Sequence, residues 1–146
     1  MNLAFYVDKT DNNDFNVAMF NMLNEATTKY KSGDFSVFYN DMDYNPVQTR
    51  FGMFNATELW AFTGTLVSTS TVNTVKALNV VNKFKLIHMY NDKENNSLFD
   101  LITLLSDERV TIMTKDNKDT KKIHRLTGKT PKQINSFCVE EILEVI

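Results

Sequence analysis

Cysteine occurs once in the 146 residues, at Cys138, proline twice and glycine four times. One cysteine closes no internal disulfide, so the fold has to stand on its core, and a reducing compartment is its natural setting. Long apolar runs are missing as well. No window approaches the roughly 20 residues that span a bilayer, and Met1–Asp8 lacks the basic start and apolar length of a signal peptide. The net charge of −2 supplies no global attraction to nucleic acid or to a membrane surface. Two histidines, His88 and His124, stand far apart and apart from Cys138, which gives no metal-ligand spacing. No Ser-His-Asp or Cys-His pairing is marked either. These absences lead to an expectation of a soluble, cytoplasmic protein with no cofactor, metal or membrane partner.

What is present is enough for a packed globule. Apolar residues make up 42% of the chain and aromatics 12%, with eleven Phe, and the length suits one domain over residues 1–146. Asn, Lys, Asp and Thr are abundant, a bias expected of an AT-rich genome such as that of a phage; in that case the compartment is the host cytoplasm.

The chain is organised around the stretch from Glu58 to Asp92. Glu58–Phe62 is a short apolar run, Thr63 and Gly64 break it, and Leu66, Val67, Val72, Val75, Leu78 and Val81 recur at helix-like spacing before Phe84–Tyr90. That pattern predicts strand, helix, strand. A strand returning parallel to its predecessor needs such a crossover, so a parallel sheet is implied.

The flanks agree. Leu3–Val7 predicts a first strand, followed by a polar loop, Asp8–Asp14. Phe15, Ala18, Met19, Met22, Leu23 and Ala26 predict a helix from about Asp14 to Lys31, capped by Asn13 or Asp14 and stopped at Gly33. Asp34–Tyr39 and Gln48–Met53 read as strands. Ser97 is placed to cap a helix carrying Leu98, Leu101, Ile102, Leu104 and Leu105; Arg109–Thr114 is the next strand. Asp116–Thr127 is a charged helix ended by Gly128 and Pro131, and Val139, Ile142, Leu143 and Ile146 form a helical stripe in the tail. Strands alternating with helices throughout predict a three-layer, Rossmann-like α/β domain with a mainly parallel sheet.

Several segments bear on function. The loop Asp8–Asp14 stands where doubly wound folds take ligands. It has no glycine to bring backbone N–H groups onto a phosphate, and its three aspartates repel one. It reads either as a solvated cap and turn or as a site where Asp8 and Asp11 hold a hydroxyl-rich ligand or a cation. Thr63 and Gly64, with the hydroxyls of Ser68–Ser70 a turn further on, read as helix capping or as a polar-ligand loop. His88 shares a strand face with Phe84, Leu86 and Tyr90 and is expected buried and hydrogen-bonded; His124 is expected on a solvated face. Bases exceed acids from Arg109 to Lys132, but no aromatic is interleaved, so nucleic acid is not an expected partner.

The order of these elements resembles the N-terminal, acceptor-side half of GT-B-fold glycosyltransferases of the family 4-like kind. The likeness is carried by the Glu58–Phe62, helix, Phe84–Tyr90 unit, by Glu108–Thr114 and by Lys132–Cys138, and it is one of layout and spacing over nearly the whole chain. It implies a sheet order of 3-2-1-4-5-6 and a cleft formed by the loops after the first, fourth and fifth strands, at Asp8, Asp11, Thr63, Gly64, Asn91 and Asp92. Two departures shape the expectation. The family's glycine-rich first loop is replaced by Asp8–Asp14, and the donor-binding half with its paired glutamates has no counterpart in these residues. The resemblance therefore implies a glycosyltransferase-like binding module for a sugar, a nucleotide sugar or a protein. The alternative is an acceptor-binding subunit completed by a partner chain or by self-association. The tail stripe of Val139, Ile142 and Ile146 is the expected homodimer surface.

Overall fold

The computed structural model describes residues 1–45, 47–81, 84–93 and 98–146. Its strands are β1 (Asn2–Thr10), β2 (Asp34–Met42), β3 (Gly52–Asn55), β4 (Gly64–Ser68), β5 (Phe84–Met89), β6 (Val110–Thr114) and β7 (Lys132–Gln133). Its helices are α1 (Asp14–Lys29), α2 (Thr71–Leu78), α3 (Leu98–Ser106), α4 (Asn117–Thr127) and α5 (Val139–Glu144), with a 3-10 helix at Ala56–Ala61. All seven strands run parallel in the order β3-β2-β1-β4-β5-β6-β7. The expected 3-2-1-4-5-6 order is present, and β7 extends it by one short edge strand.

Helices cover both faces, which makes three layers. Leu3, Phe5 and Val7 of β1 point into a core with α1 and α5, while Ala4 and Tyr6 point into a second core with α2, α3 and α4. Burial on both faces explains why β1 reads as an uninterrupted apolar run. Its neighbours β2 and β4 are held in register at Phe5 by Val37 on one side and Val67 on the other.

The fourth strand lies further along the chain than its apolar signal predicts. Glu58–Phe62 is not a strand: Asn55 caps the 3-10 helix by accepting from the Thr57 N–H, and there Leu59 is buried while Trp60 is 71% exposed. The strand is instead Gly64–Ser68, five residues buried on both faces except at Gly64. A run of five apolar residues carries too little periodicity to separate a helical turn from a strand. Leu66 and Val67 thus leave the predicted helix, which shrinks to Thr71–Leu78, and its exposed face carries Val72 and Val75. Thr71, Asn73, Thr74 and Ala77 face the sheet in their place.

Smaller differences follow the same logic. β1 runs on to Thr10, so the first loop is only residues 11–13, and the third strand is Gly52–Asn55 rather than Gln48–Met53. The predicted cap at Ser97 lies outside the described residues. Asn13 caps α1, and the helix closes at Tyr30 before Gly33; Gly128, at φ +71°, closes α4 as expected. The tail helix does not present its stripe outward: Val139 and Ile142 are buried in the core with α1, and of the three residues expected at a dimer surface Ile146 alone is exposed. Among the described residues, no helix is long and apolar enough to cross a membrane.

Gly64 opens β4 at φ +136°, and a Cβ there would lie 2.5 Å from the Asn2 carbonyl oxygen. Both the backbone region and the contact exclude a side chain. Gly64→Ala is expected to cost about 3 kcal/mol, read as a fall in melting temperature of about 10 °C. An unchanged midpoint would remove Gly64 from the constraints on the sheet.

Candidate functional site

The chain leaves β1 toward β2 on one side and enters β4 and β5 on the other, so the sheet's switch point lies at the carboxyl ends of β1 and β4. Open parallel sheets form a crevice there because consecutive loops depart to opposite faces. Here the loops are residues 11–13, leading to α1, and Thr69–Ser70, leading to α2.

On the α2 side of this crevice the residues are polar and mutually bonded. Tyr6, Ser68 and His88 are neighbours across β1, β4 and β5, and Asp8 follows Tyr6 on the same face. The Tyr6 hydroxyl donates to Asn40 Oδ1 at 2.7 Å. Asn40 Nδ2 donates to Asp8 Oδ1 and to Asn73 Oδ1, each at 2.9 Å. Burial raises the Tyr6 phenol above its ordinary value, against the pull of its bond to Asn40, so it stays a neutral donor. Asn73 Nδ2, in a fully buried side chain, has no protein partner.

Behind this array α2 is fastened to the sheet through hydroxyls. Ser70 Oγ accepts the Asn73 N–H and so occupies the helix N-terminus. Thr69 Oγ1 donates to the Tyr6 carbonyl, and Thr74 Oγ1 donates to the Ser70 carbonyl at 2.9 Å. Thr74 Oγ1 also lies 2.8 Å from His88 Nδ1. Its one proton is already committed, so Nδ1–H of His88 is the donor and Nε2 is left as a buried acceptor without a partner. With the ring fully enclosed, burial lowers its pKa to about 4.

The residues expected at the cleft are distributed unevenly. Asp8, Asp11, Asn91 and Asp92 all stand at the carboxyl edge. Asp8 alone joins the array. Asp11 is part of the α1 cap, accepting from the Asn13 N–H and from Asn16 Nδ2. Asn91 closes a turn by accepting from the Lys93 N–H. Asp92 pairs with Lys122 and accepts from the Tyr90 hydroxyl; the hydrogen bond to Lys122 holds its carboxyl below the ordinary value. Thr63 and Gly64 lie at the amino edge, where the Thr63 carbonyl accepts from Asn2 Nδ2, because Gly64 opens β4 instead of following the end of a strand.

Three residues of the array, Tyr6, Asn40 and Asn73, are not singled out by the sequence, whereas Ser70 caps α2 as one of its two readings has it. Asn40 and Asn73 carried a signal in principle. One is an amide at the end of an apolar strand, the other an amide three residues after a Ser that can cap, on a helix whose sheet-facing side turned out to be polar. Part of the basic run is engaged locally. Lys115 lies over the rings of Phe15 and Phe137 at 5.0 and 4.8 Å, Lys122 pairs with Asp92, and Lys129 reaches the Ser106 carbonyl. Among the described residues no three His, Cys, Asp or Glu side chains converge as a metal site.

The chain matches no protein family model, no curated protein and no solved structure.

Because His88 is depressed to about 4 in the folded chain against about 6.5 when unfolded, the unfolded state binds the extra proton between those values. Stability is therefore expected to fall as pH drops from 6.5 to 4, by about 3 kcal/mol from this residue, and to level off below. Denaturant unfolding across that range measures it. His88→Gln should flatten this part of the profile, and an equally steep profile in that variant would assign the loss to other groups.

Proposed function

We propose that the chain is a ligand-binding module, glycosyltransferase-like in layout, whose switch-point crevice takes a hydroxyl-rich molecule such as a sugar. The observation that carries this reading is the array of Tyr6, Asn40, Asp8 and Asn73 at the carboxyl ends of β1 and β2 and the start of α2. Its groups are a neutral phenol, two amides and a carboxylate. Vicinal hydroxyls, each a donor and an acceptor, answer such a mixed set.

A phosphate is a poorer match. The α2 N-terminus is occupied by Ser70, no arginine or lysine among the described residues enters the array, and Asp8 and Asp11 stand at the same edge. This favours the sugar over the phosphates of a nucleotide sugar, which agrees with an acceptor-side role. Catalysis is not part of the reading: the most enclosed base, His88, is sealed from solvent and pointed into α2.

A protein-binding role has an observation of its own. The outer surfaces of α2 and α3 carry Val72, Val75, Leu98, Phe99 and Ile102, with Phe99 79% exposed. Apolar side chains grouped on neighbouring helices are costly to leave in water unless something covers them. In the runner-up reading, a glycosyltransferase subunit, a donor-binding partner or a second copy would cover such a face.

A thermal-shift series with neutral monosaccharides, free nucleotides and nucleotide sugars separates these readings. Binding at a hundred times the dissociation constant stabilises by about 2.7 kcal/mol. Sugars and nucleotide sugars are expected to raise the midpoint and free nucleotides are not. Asp8→Asn, at an exposed position that should not disturb folding, is expected to weaken the shift, and Asn40→Ala to abolish it. No shift with any sugar would overturn the ligand reading in favour of the protein-binding one; a shift untouched by both variants would move the site elsewhere.

A further inference from the structure

The amino end of the sheet holds a separate cavity of about 400 Å³, on the opposite edge from the switch-point crevice. It exists because the connection from β3 to β4 is a 3-10 helix of six residues, too short to cover the β2 and β3 surface it crosses. Phe38, Phe54 and Phe62 form its walls, the Phe38 ring lying 5.7 Å from Phe54 and 5.6 Å from Phe62. Gly52 makes this wall possible: a Cβ there would meet the Phe54 ring at 2.5 Å. Ser36 and Thr63 add polar atoms, and among the described residues the charged groups on the lining are Asp34 and Glu58. Both are acidic and exposed.

We propose that this cavity is a binding site for a small organic cation, an ammonium carrying an apolar or aromatic body. The volume is that of a small-ligand pocket. The three phenyl rings give an organic cation's apolar body its contact surface, and the two carboxylates at the same lining attract its charge. An anion meets repulsion from Asp34 and Glu58. A neutral apolar body gains the ring contacts but nothing from the carboxylates. The site is independent of the crevice at Asp8 and Asn40, and a ligand at one leaves the other open.

The test is a two-dimensional amide NMR titration of the full chain with benzyltrimethylammonium, using benzyl alcohol and phenylacetate as neutral and anionic comparators. The cation is expected to produce saturable shifts grouped at Ser36, Gly52 and Thr63, and to bind at least about tenfold more tightly than either comparator. Glu58→Gln combined with Asp34→Asn, both exposed, should weaken it by about tenfold while leaving the neutral comparator unchanged. Ser36→Leu should fill the cavity and abolish the response, its dispersed spectrum reporting that the chain is folded. Equal binding of the three probes, shifts centred on other amides, or no saturable shift up to the solubility limit would each overturn the assignment.

Discussion

The structure depends on β1 being buried on both faces and bonded on both sides. Leu3, Phe5 and Val7 lie in one core and Ala4 and Tyr6 in the other, so no register shift of a single residue is tolerated. The twin neighbours β2 and β4 then follow, as does the reversal of winding direction at β1. The crevice at its carboxyl end is thus a geometric result of the core, and the polar residues placed there are the part that selection is free to vary.

The polar layer under α2 shows what that freedom was used for. An ordinary crossover helix presents aliphatic side chains to the sheet, whereas α2 presents Thr71, Asn73, Thr74 and Ala77, and it turns Val72 and Val75 outward. Hydrogen bonds of Thr69, Asn73 and Thr74 to β1, β2 and β5 replace apolar packing. Such bonds return modest net stability and fix orientation more sharply than aliphatic contact does. A helix seated this way holds Asn73 at a fixed angle to Asn40 at the tip of β2.

The fold was legible where periodicity was long. α1, with six apolar positions at three and four spacing, was read to within a few residues, and the terminal αL glycine of α4 was read correctly. The Glu58–Phe62 run was misread because five residues fit both a 3-10 turn and a strand. That one displacement moved Thr63 and Gly64 to the wrong edge of the sheet. Asn73 stayed hidden for a related reason: the valines of α2 suggested the buried side, and hydrophobicity alone cannot signal a helix held by hydroxyls and amides. Asp8 was legible because it follows directly on the first apolar run, which sets the sheet's centre. Asn91 and Asp92 stand at the expected edge, yet their bonds to Lys93 and Lys122 make them local fastenings.

The central position of β1 also bears on how the chain comes to be folded. β1 is synthesised ahead of the other six strands, but its second neighbour is β4, and the bond from Thr69 to Tyr6 closes 63 positions of sequence. Until that segment has left the ribosome, one edge of this doubly buried strand has no partner. Parallel pairings offer no local hairpin to shorten the search, so assembly is governed by slow, non-local loop closure. During that interval the apolar run Leu3–Val7 is open to association with other chains.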